Sequence, residues 1–100
     1  GHTSCGSIKG ACDDAKLGNL TAMLSKIKPA VNSVSKPKEA DLRNSKNLDF
    51  VDNVSKKNVE LSIERIRKES PVLAEMENNG EIKIVGAMYD INTGSVLFYE

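Results

Sequence analysis

The stretch Gly-Glu-Ile-Lys-Ile-Val-Gly-Ala-Met-Tyr-Asp, residues 80–90, decides the fold of this 100-residue sequence. Residues 82–89 alternate between two sides that are both largely apolar, which is typical of a buried strand. Residues 90–94 predict a turn, and residues 96–99 predict a strand that returns antiparallel to the first. Gly86 indicates that another backbone approaches closely. The pattern therefore predicts a β-hairpin.

Upstream of the hairpin, apolar residues recur at the spacing of helices. This spacing predicts a first helix over residues 4–17, followed by Gly18 in a left-handed conformation. A second helix is predicted from residue 20 onward, with Asn19 as its cap. Pro29 is expected to end or kink that helix.

The longest predicted helix covers residues 48–68, where one face is apolar. The Ser-Pro pair at 70–71 predicts the start of a short helix that runs to Asn78. Between these helices and the earlier ones, residues 32–47 are polar and nearly aperiodic. We expect them to form a surface excursion with a short helical turn near residues 39–43.

About four helices thus accompany one hairpin, and a two-stranded sheet cannot cover so many apolar helix faces. We therefore expect partner strands to lie upstream in a longer protein or on another subunit. Residues 1–100 are expected to be a single domain or part of one.

Composition excludes several classes of function. Fourteen basic residues balance fourteen acidic ones without clustering, so no field attracts nucleic acid or an anionic membrane. No apolar run approaches the roughly 20 residues that span a bilayer. Cys5 and Cys12 would lie roughly 10 Å apart on a helix, too far for a disulfide. We therefore expect a reducing, cytoplasmic location.

The sequence Gly-His-Thr-Ser-Cys-Gly at residues 1–6, here named the N-terminal hook, is the strongest candidate for a metal site. His2 and Cys5 offer an imidazole and a thiolate within one turn, and both suit tetrahedral zinc. The start of the predicted helix would favour the negative thiolate of Cys5. Catalytic zinc normally takes three protein ligands, however, and no third lies nearby. The alternative is a surface histidine beside a buried structural cysteine.

Other candidate residues have simpler interpretations. Cys12 is expected to be a small core residue rather than a ligand. Asp13 and Asp14 are expected to lie on a solvated helix face, and Tyr89 and Tyr99 are expected to serve packing. The sequence therefore provides no catalytic residue beyond the two candidate metal ligands.

Six blocks together resemble the β-class carbonic anhydrases, and they follow in order along nearly the whole sequence. They are Gly-His-Thr-Ser-Cys-Gly at 1–6, Gly-Asn-Leu at 18–20, Val-x-x-x-Asn-Val at 54–59, Arg-x-x-Ser-Pro-Val-Leu at 67–73, Gly-Glu-Ile-Lys-Ile-Val-Gly-Ala-Met-Tyr-Asp at 80–90 and Thr-Gly at 93–94.

The resemblance implies an α/β fold, a mostly parallel sheet flanked by helices, of which this sequence would hold the helical part and the C-terminal hairpin. It implies a zinc enzyme, a homodimer or tetramer, that interconverts carbon dioxide and bicarbonate through zinc-bound hydroxide. His2 and Cys5 would be two of its three zinc ligands. The family's upstream Cys-x-Asp-x-Arg motif, with the third ligand and an Asp–Arg pair, has no counterpart here. On this resemblance the sequence is the C-terminal portion of such an enzyme and is expected to be inactive alone.

Two alternatives remain open. Carbonyl sulfide and carbon disulfide hydrolases resemble the same family, and the residues that would distinguish them belong to the upstream part. A non-catalytic paralogue or fragment, which acts only in subunit packing, is favoured by the missing Asp–Arg pair.

Overall fold

The computed structural model describes residues 1–99, whose regular elements are five α-helices, one 3-10 turn and two strands. In chain order they are α1 Gly6–Cys12, α2 Leu20–Ser25, α3 Lys28–Ser33, the 3-10 turn Ala40–Leu42, α4 Leu48–Glu69, α5 Pro71–Asn78, β1 Gly86–Tyr89 and β2 Val96–Tyr99. Helix α4 is central, because α1, α3, α5 and β1 all pack against it.

The two helices that follow the polar segment form as predicted. The side chain of Asn47 accepts a hydrogen bond from the Phe50 amide and so caps α4. The Ser70 hydroxyl does the same for the Leu73 amide at the start of α5, where Pro71 occupies the first position. The boundaries predicted at residues 48, 71 and 78 are confirmed, and α4 ends one residue later than expected.

The first helix is shorter than predicted at both ends. Ser4 adopts a left-handed conformation, with φ at 51°, and Cys5 is extended, so α1 begins only at Gly6. At the other end, Asp14 has φ at 56°, which a right-handed helix cannot continue. The carboxylate of Asp13 accepts a hydrogen bond from the Ser45 amide and ties this end to the polar segment. The expected helix over residues 4–17 is therefore wrong beyond α1.

The second predicted helix is divided into α2 and α3. Gly18 is left-handed as expected, with φ at 48°. Asn19 precedes α2 but makes no capping bond with its side chain; instead, Thr21 Oγ1 accepts a hydrogen bond from the Leu17 amide. Pro29 lies in the first turn of α3 rather than at a helix end. It is tolerated there because the first amides of a helix have no intrahelical acceptor.

The core lies between α4 and the three preceding helices. Its buried members are mostly aliphatic: Ile8, Ala11, Cys12, Leu24, Ala30, Val31, Phe50, Val51 and Val54. The polar residues 32–47 run over the surface, and the short turn expected near residues 39–43 is confirmed as the 3-10 turn.

Arg43 fastens this polar segment to the core. Its guanidinium donates hydrogen bonds to the carbonyl oxygens of Val31, Val34 and Pro37 at 2.9, 2.6 and 3.0 Å. It also lies over the ring of Phe50, 4.7 Å from the centroid. A largely aperiodic segment is thereby held in one path.

The hairpin pairs Gly86 with Tyr99 at one end and Tyr89 with Val96 at the other. Residues 82–85, predicted as strand, are not part of β1, which begins at Gly86. The close neighbours of Gly86 are the side chains of Val59 and Ile63 on α4 rather than a backbone, so that expectation is corrected.

A second, parallel pairing joins the N-terminal residues to β1. His2 forms an isolated parallel bridge with Tyr89, beside the antiparallel hairpin. Five helices together with a hairpin and a parallel bridge are compatible with the α/β class.

Candidate metal centre

The N-terminal hook is attached to the edge of β1 through its backbone. The Tyr89 amide donates to the Gly1 carbonyl at 2.9 Å, and the Thr3 amide donates to the Tyr89 carbonyl at 2.9 Å. The Thr3 hydroxyl also accepts a hydrogen bond from the Ile91 amide at 3.1 Å. Residues 1–3 therefore extend the sheet by a short parallel segment.

Helix α4 holds the other side of the hook. The carboxylate of Asp52 accepts a hydrogen bond from the Ser4 amide at 2.9 Å. One helical turn further along, the buried Ser55 hydroxyl donates to the His2 carbonyl at 3.2 Å. The hook is thus fixed between a strand and a helix, and its reversal of direction takes place at the left-handed Ser4.

The ring of His2 makes one hydrogen bond with the backbone. His2 Nδ1 lies 2.9 Å from the Thr3 carbonyl oxygen, which can only accept a hydrogen bond. This contact therefore requires the proton on Nδ1, and the neutral ring then presents its lone pair at Nε2. A backbone carbonyl in this position is the usual partner of a histidine that ligates a metal.

Cys5 follows directly after the turn, as the N-cap residue of α1. Its thiol is free, half-buried and makes no capping hydrogen bond, so its sulfur remains available to a metal. The electrostatic support expected from a long helix is reduced, since α1 has only seven residues.

His2 and Cys5 line the same cavity, whose volume is about 400 Å³. Most of the remaining wall comes from α4 and β1, and includes Ser55, Asn58, Val59 and Gly86, while Ile8 of α1 also contributes. The structure thus brings together both predicted ligands next to a space that a small molecule could enter.

The donor set fits zinc in type but is one ligand short. An imidazole and a thiol are suitable zinc ligands, but a catalytic site uses three from the protein. Within residues 1–99, no group of three or more His, Cys, Asp or Glu side chains could hold a metal ion.

The other cysteine and the acidic pair lie outside this cavity. Cys12 is buried in the core, as expected, whereas the exposed Asp13 and Asp14 follow the end of α1 rather than lying on a helix face. Burial raises the pKa of the Cys12 thiol to about 11, with a further contribution from Asp13, so this thiol stays protonated at neutral pH. Hydrogen bonds from Lys28 and Lys16 lower the pKa of the Asp14 carboxyl, which is an exposed ion-pair partner. Asp14, Lys16 and Lys28 border a second cavity of about 310 Å³, and neither candidate ligand lines it.

The sequence did not identify Asp52 and Ser55 as parts of the site. A signal existed for Ser55, because this polar residue lies four positions from Val51 and from Val59, on the apolar face of α4. Asp52 gave no comparable signal, since an acidic residue on a helix is ordinarily solvated. Its partner Ser4 is 48 positions away in the sequence.

Among the described residues, no helix combines the length and apolar character needed to cross a membrane.

Comparison with known proteins identifies the family of the chain. A family model described as carbonic anhydrase matches residues 1–96, a span that includes the hook, α4, β1 and the first residue of β2. No curated protein and no solved structure matches the chain significantly. The family match covers both predicted ligands and the strand that fixes them. The chain therefore belongs to the β-class carbonic anhydrase family.

Proposed function

We propose that this chain contributes to a zinc-dependent carbonate dehydratase, which interconverts carbon dioxide and bicarbonate. The observation that carries the proposal is the cavity shared by His2 and Cys5, in a chain whose family match covers both residues. His2 Nε2 and Cys5 Sγ would hold the metal. Zinc, when bound, supplies the Lewis acidity that makes water ionise near neutral pH.

The residues of this chain would orient the candidate ligands and bind the substrate. The Thr3 carbonyl fixes the tautomer of His2, while Ser55 and Asp52 hold the backbone that follows the imidazole. The cavity wall between Val59 and Gly86 is apolar and would suit a small uncharged substrate.

A third ligand would have to come from outside residues 1–99, on another segment or another subunit. The parallel bridge between His2 and Tyr89 supports a mostly parallel sheet in the whole enzyme, because it places the hook where such a strand would end. We propose accordingly that residues 1–100 are part of one catalytic domain that assembles as a dimer or tetramer.

The ligand count also favours a second candidate function, a non-catalytic packing module. With two donors, the isolated chain is expected to retain zinc poorly and to show no appreciable hydration of carbon dioxide. The two candidates differ in their response to a small thiol added as a third ligand, which should restore zinc binding and hydration only at a catalytic site.

The test measures zinc affinity and the rate of carbon dioxide hydration, with and without the added thiol. We expect His2→Ala and Cys5→Ala to abolish both, and the matched cysteine variant Cys12→Ala to retain both. Thiol-dependent zinc binding without hydration would support the packing module. Zinc affinity that is unchanged in His2→Ala and Cys5→Ala would refute the metal centre.

A further inference from the structure

Asp52 makes a contact that helix α4 itself does not need. It lies five residues beyond the N-cap Asn47, outside the first turn in which a carboxylate stabilises a helix. Its Oδ1 instead accepts a hydrogen bond from the Ser4 amide at 2.9 Å. A bond to an ionised acceptor is roughly twice as strong as one between neutral groups.

The Ser4 amide is likewise not one that α1 needs to have capped. Ser4 precedes Cys5, the N-cap of α1, so the bond satisfies none of the free amides in the first turn of that helix. What the bond does fix is the conformation of Ser4, whose φ of 51° is uncommon for a residue with a side chain.

The conformation of Ser4 determines where both candidate ligands point. His2 belongs to the parallel bridge with Tyr89, whereas Cys5 begins a helix that packs on α4. The chain changes from one direction to the other at Ser4. If Ser4 returned to the ordinary region of φ, the imidazole and the thiol could not both keep their places at the cavity.

We propose that Asp52 is a positioning residue for the metal centre, because its carboxylate holds the left-handed turn at Ser4 that directs His2 and Cys5 into one cavity. The proposal rests on the proposed function of the hook as a zinc site. The turn itself, however, can be measured in the metal-free protein.

The first measurement is nuclear magnetic resonance of the metal-free chain. In Asp52→Ala we expect the Ser4 amide to lose its protection from hydrogen exchange by at least about tenfold, and its three-bond coupling to the Hα proton to change. Asp52→Asn keeps an acceptor oxygen and should give an intermediate effect. Asp49→Ala removes the same charge from the same helix, away from the hook, and should leave Ser4 unchanged.

The second measurement is the affinity for cobalt, read from the charge-transfer band of the Cys5 thiolate. Loss of a residue that orients metal ligands typically weakens affinity about 10- to 100-fold, and we expect this range for Asp52→Ala. Asp52→Asn should fall between this variant and the unmodified chain, and Asp49→Ala should match the unmodified chain.

The outcomes separate the two proposals. If the unmodified chain shows the band and Asp52→Ala binds cobalt with the same affinity, the positioning role alone is overturned. An unchanged Ser4 signal in Asp52→Ala overturns it as well. If the unmodified chain shows no band even with the small thiol added as a third ligand, the metal centre and the positioning role are overturned together. If Asp52→Ala does not fold, Asp52→Asn is judged by the same two readouts.

Discussion

Replacement of Gly86 by alanine is expected to push β1 away from α4. A Cβ atom at this position would lie 2.7 Å from Val59 Cγ1 and 2.9 Å from Ile63 Cδ1. Carbon atoms in contact prefer a separation of about 3.5–4.0 Å, so the new methyl group overlaps both side chains. Val59 cannot easily yield, because it is β-branched and its other methyl group lies against Gly1.

Overpacking of this kind typically costs about 1–3 kcal/mol. We expect the Gly86→Ala variant to lose this amount of unfolding free energy, measured by urea denaturation with circular dichroism. For a chain of this size, each 1 kcal/mol corresponds to a fall in Tm of about 4–8 °C. The urea slope should not change, because the variant alters the contact without changing the surface exposed on unfolding.

Two further variants test the reasoning. Gly6→Ala is the matched control, because a Cβ atom there meets nothing within 4 Å, and it should be neutral or slightly stabilising. Val59→Ala should relieve the overlap, so the Gly86→Ala change should cost less in a Val59→Ala background. If the unfolding free energy of Gly86→Ala lies within about 0.5 kcal/mol of that of the original chain, the close approach of β1 and α4 is refuted. An unchanged cost in the double variant would refute Val59 as its cause.

Three other predictions concern one ion pair, the hydrogen bonds of Arg43 and the two thiols. Arg67 donates two hydrogen bonds to the Glu77 carboxylate and thereby lowers the pKa of that carboxyl. The stabilisation of the fold by this ion pair is therefore complete above the usual pKa of 4.5 and is lost as pH falls through the lowered pKa. Arg67→Met should therefore lower the urea midpoint at neutral pH but not in strong acid, and an equal effect at both would contradict this. Arg43→Met removes three hydrogen bonds to carbonyl oxygens and should lower the unfolding free energy by about 2–4 kcal/mol in the same assay. A loss below about 0.5 kcal/mol would show that the polar segment keeps its conformation without Arg43. Ellman's reagent should modify Cys5 quickly and the buried Cys12 only slowly in the native protein, with equal rates in denaturant; equal native rates would refute the burial of Cys12.

Local signals were sufficient for the later helices. Asn47 and the Ser-Pro pair at 70–71 act through contacts within three residues, so the boundaries of α4 and α5 could be read from sequence. The periodicity that predicted a first helix over residues 4–17 was misleading, because its ends depend on long-range contacts. Asp52 holds Ser4 from α4, and Asp13 is tied to Ser45.

The arrangement of the candidate metal centre was predictable only in part, for the same reason. His2 and Cys5 are separated by two residues and form a recognisable pattern. The groups that hold them lie on α4 and β1, and nothing in the local sequence connects Asp52 with Ser4 or Tyr89 with His2. Gly86 was correctly identified as a point of close approach, but the alternation of a strand could not say that the neighbour is a helix side chain.

The attachment of the hook to the far end of β1 also constrains when the hook can work. Thr3 and Ile91, which share a hydrogen bond, are 88 residues apart, and closing such a loop costs about 4 kcal/mol in its length-dependent part. During synthesis the hook leaves the ribosome before β1, and the strand that fixes it follows roughly 4–18 s later at ordinary rates of elongation. Until residues 89 and 91 have been made, His2 and Thr3 therefore lack the backbone partners that fix them. For the proposed zinc site, metal loading would then follow completion of the hairpin rather than emergence of the ligands.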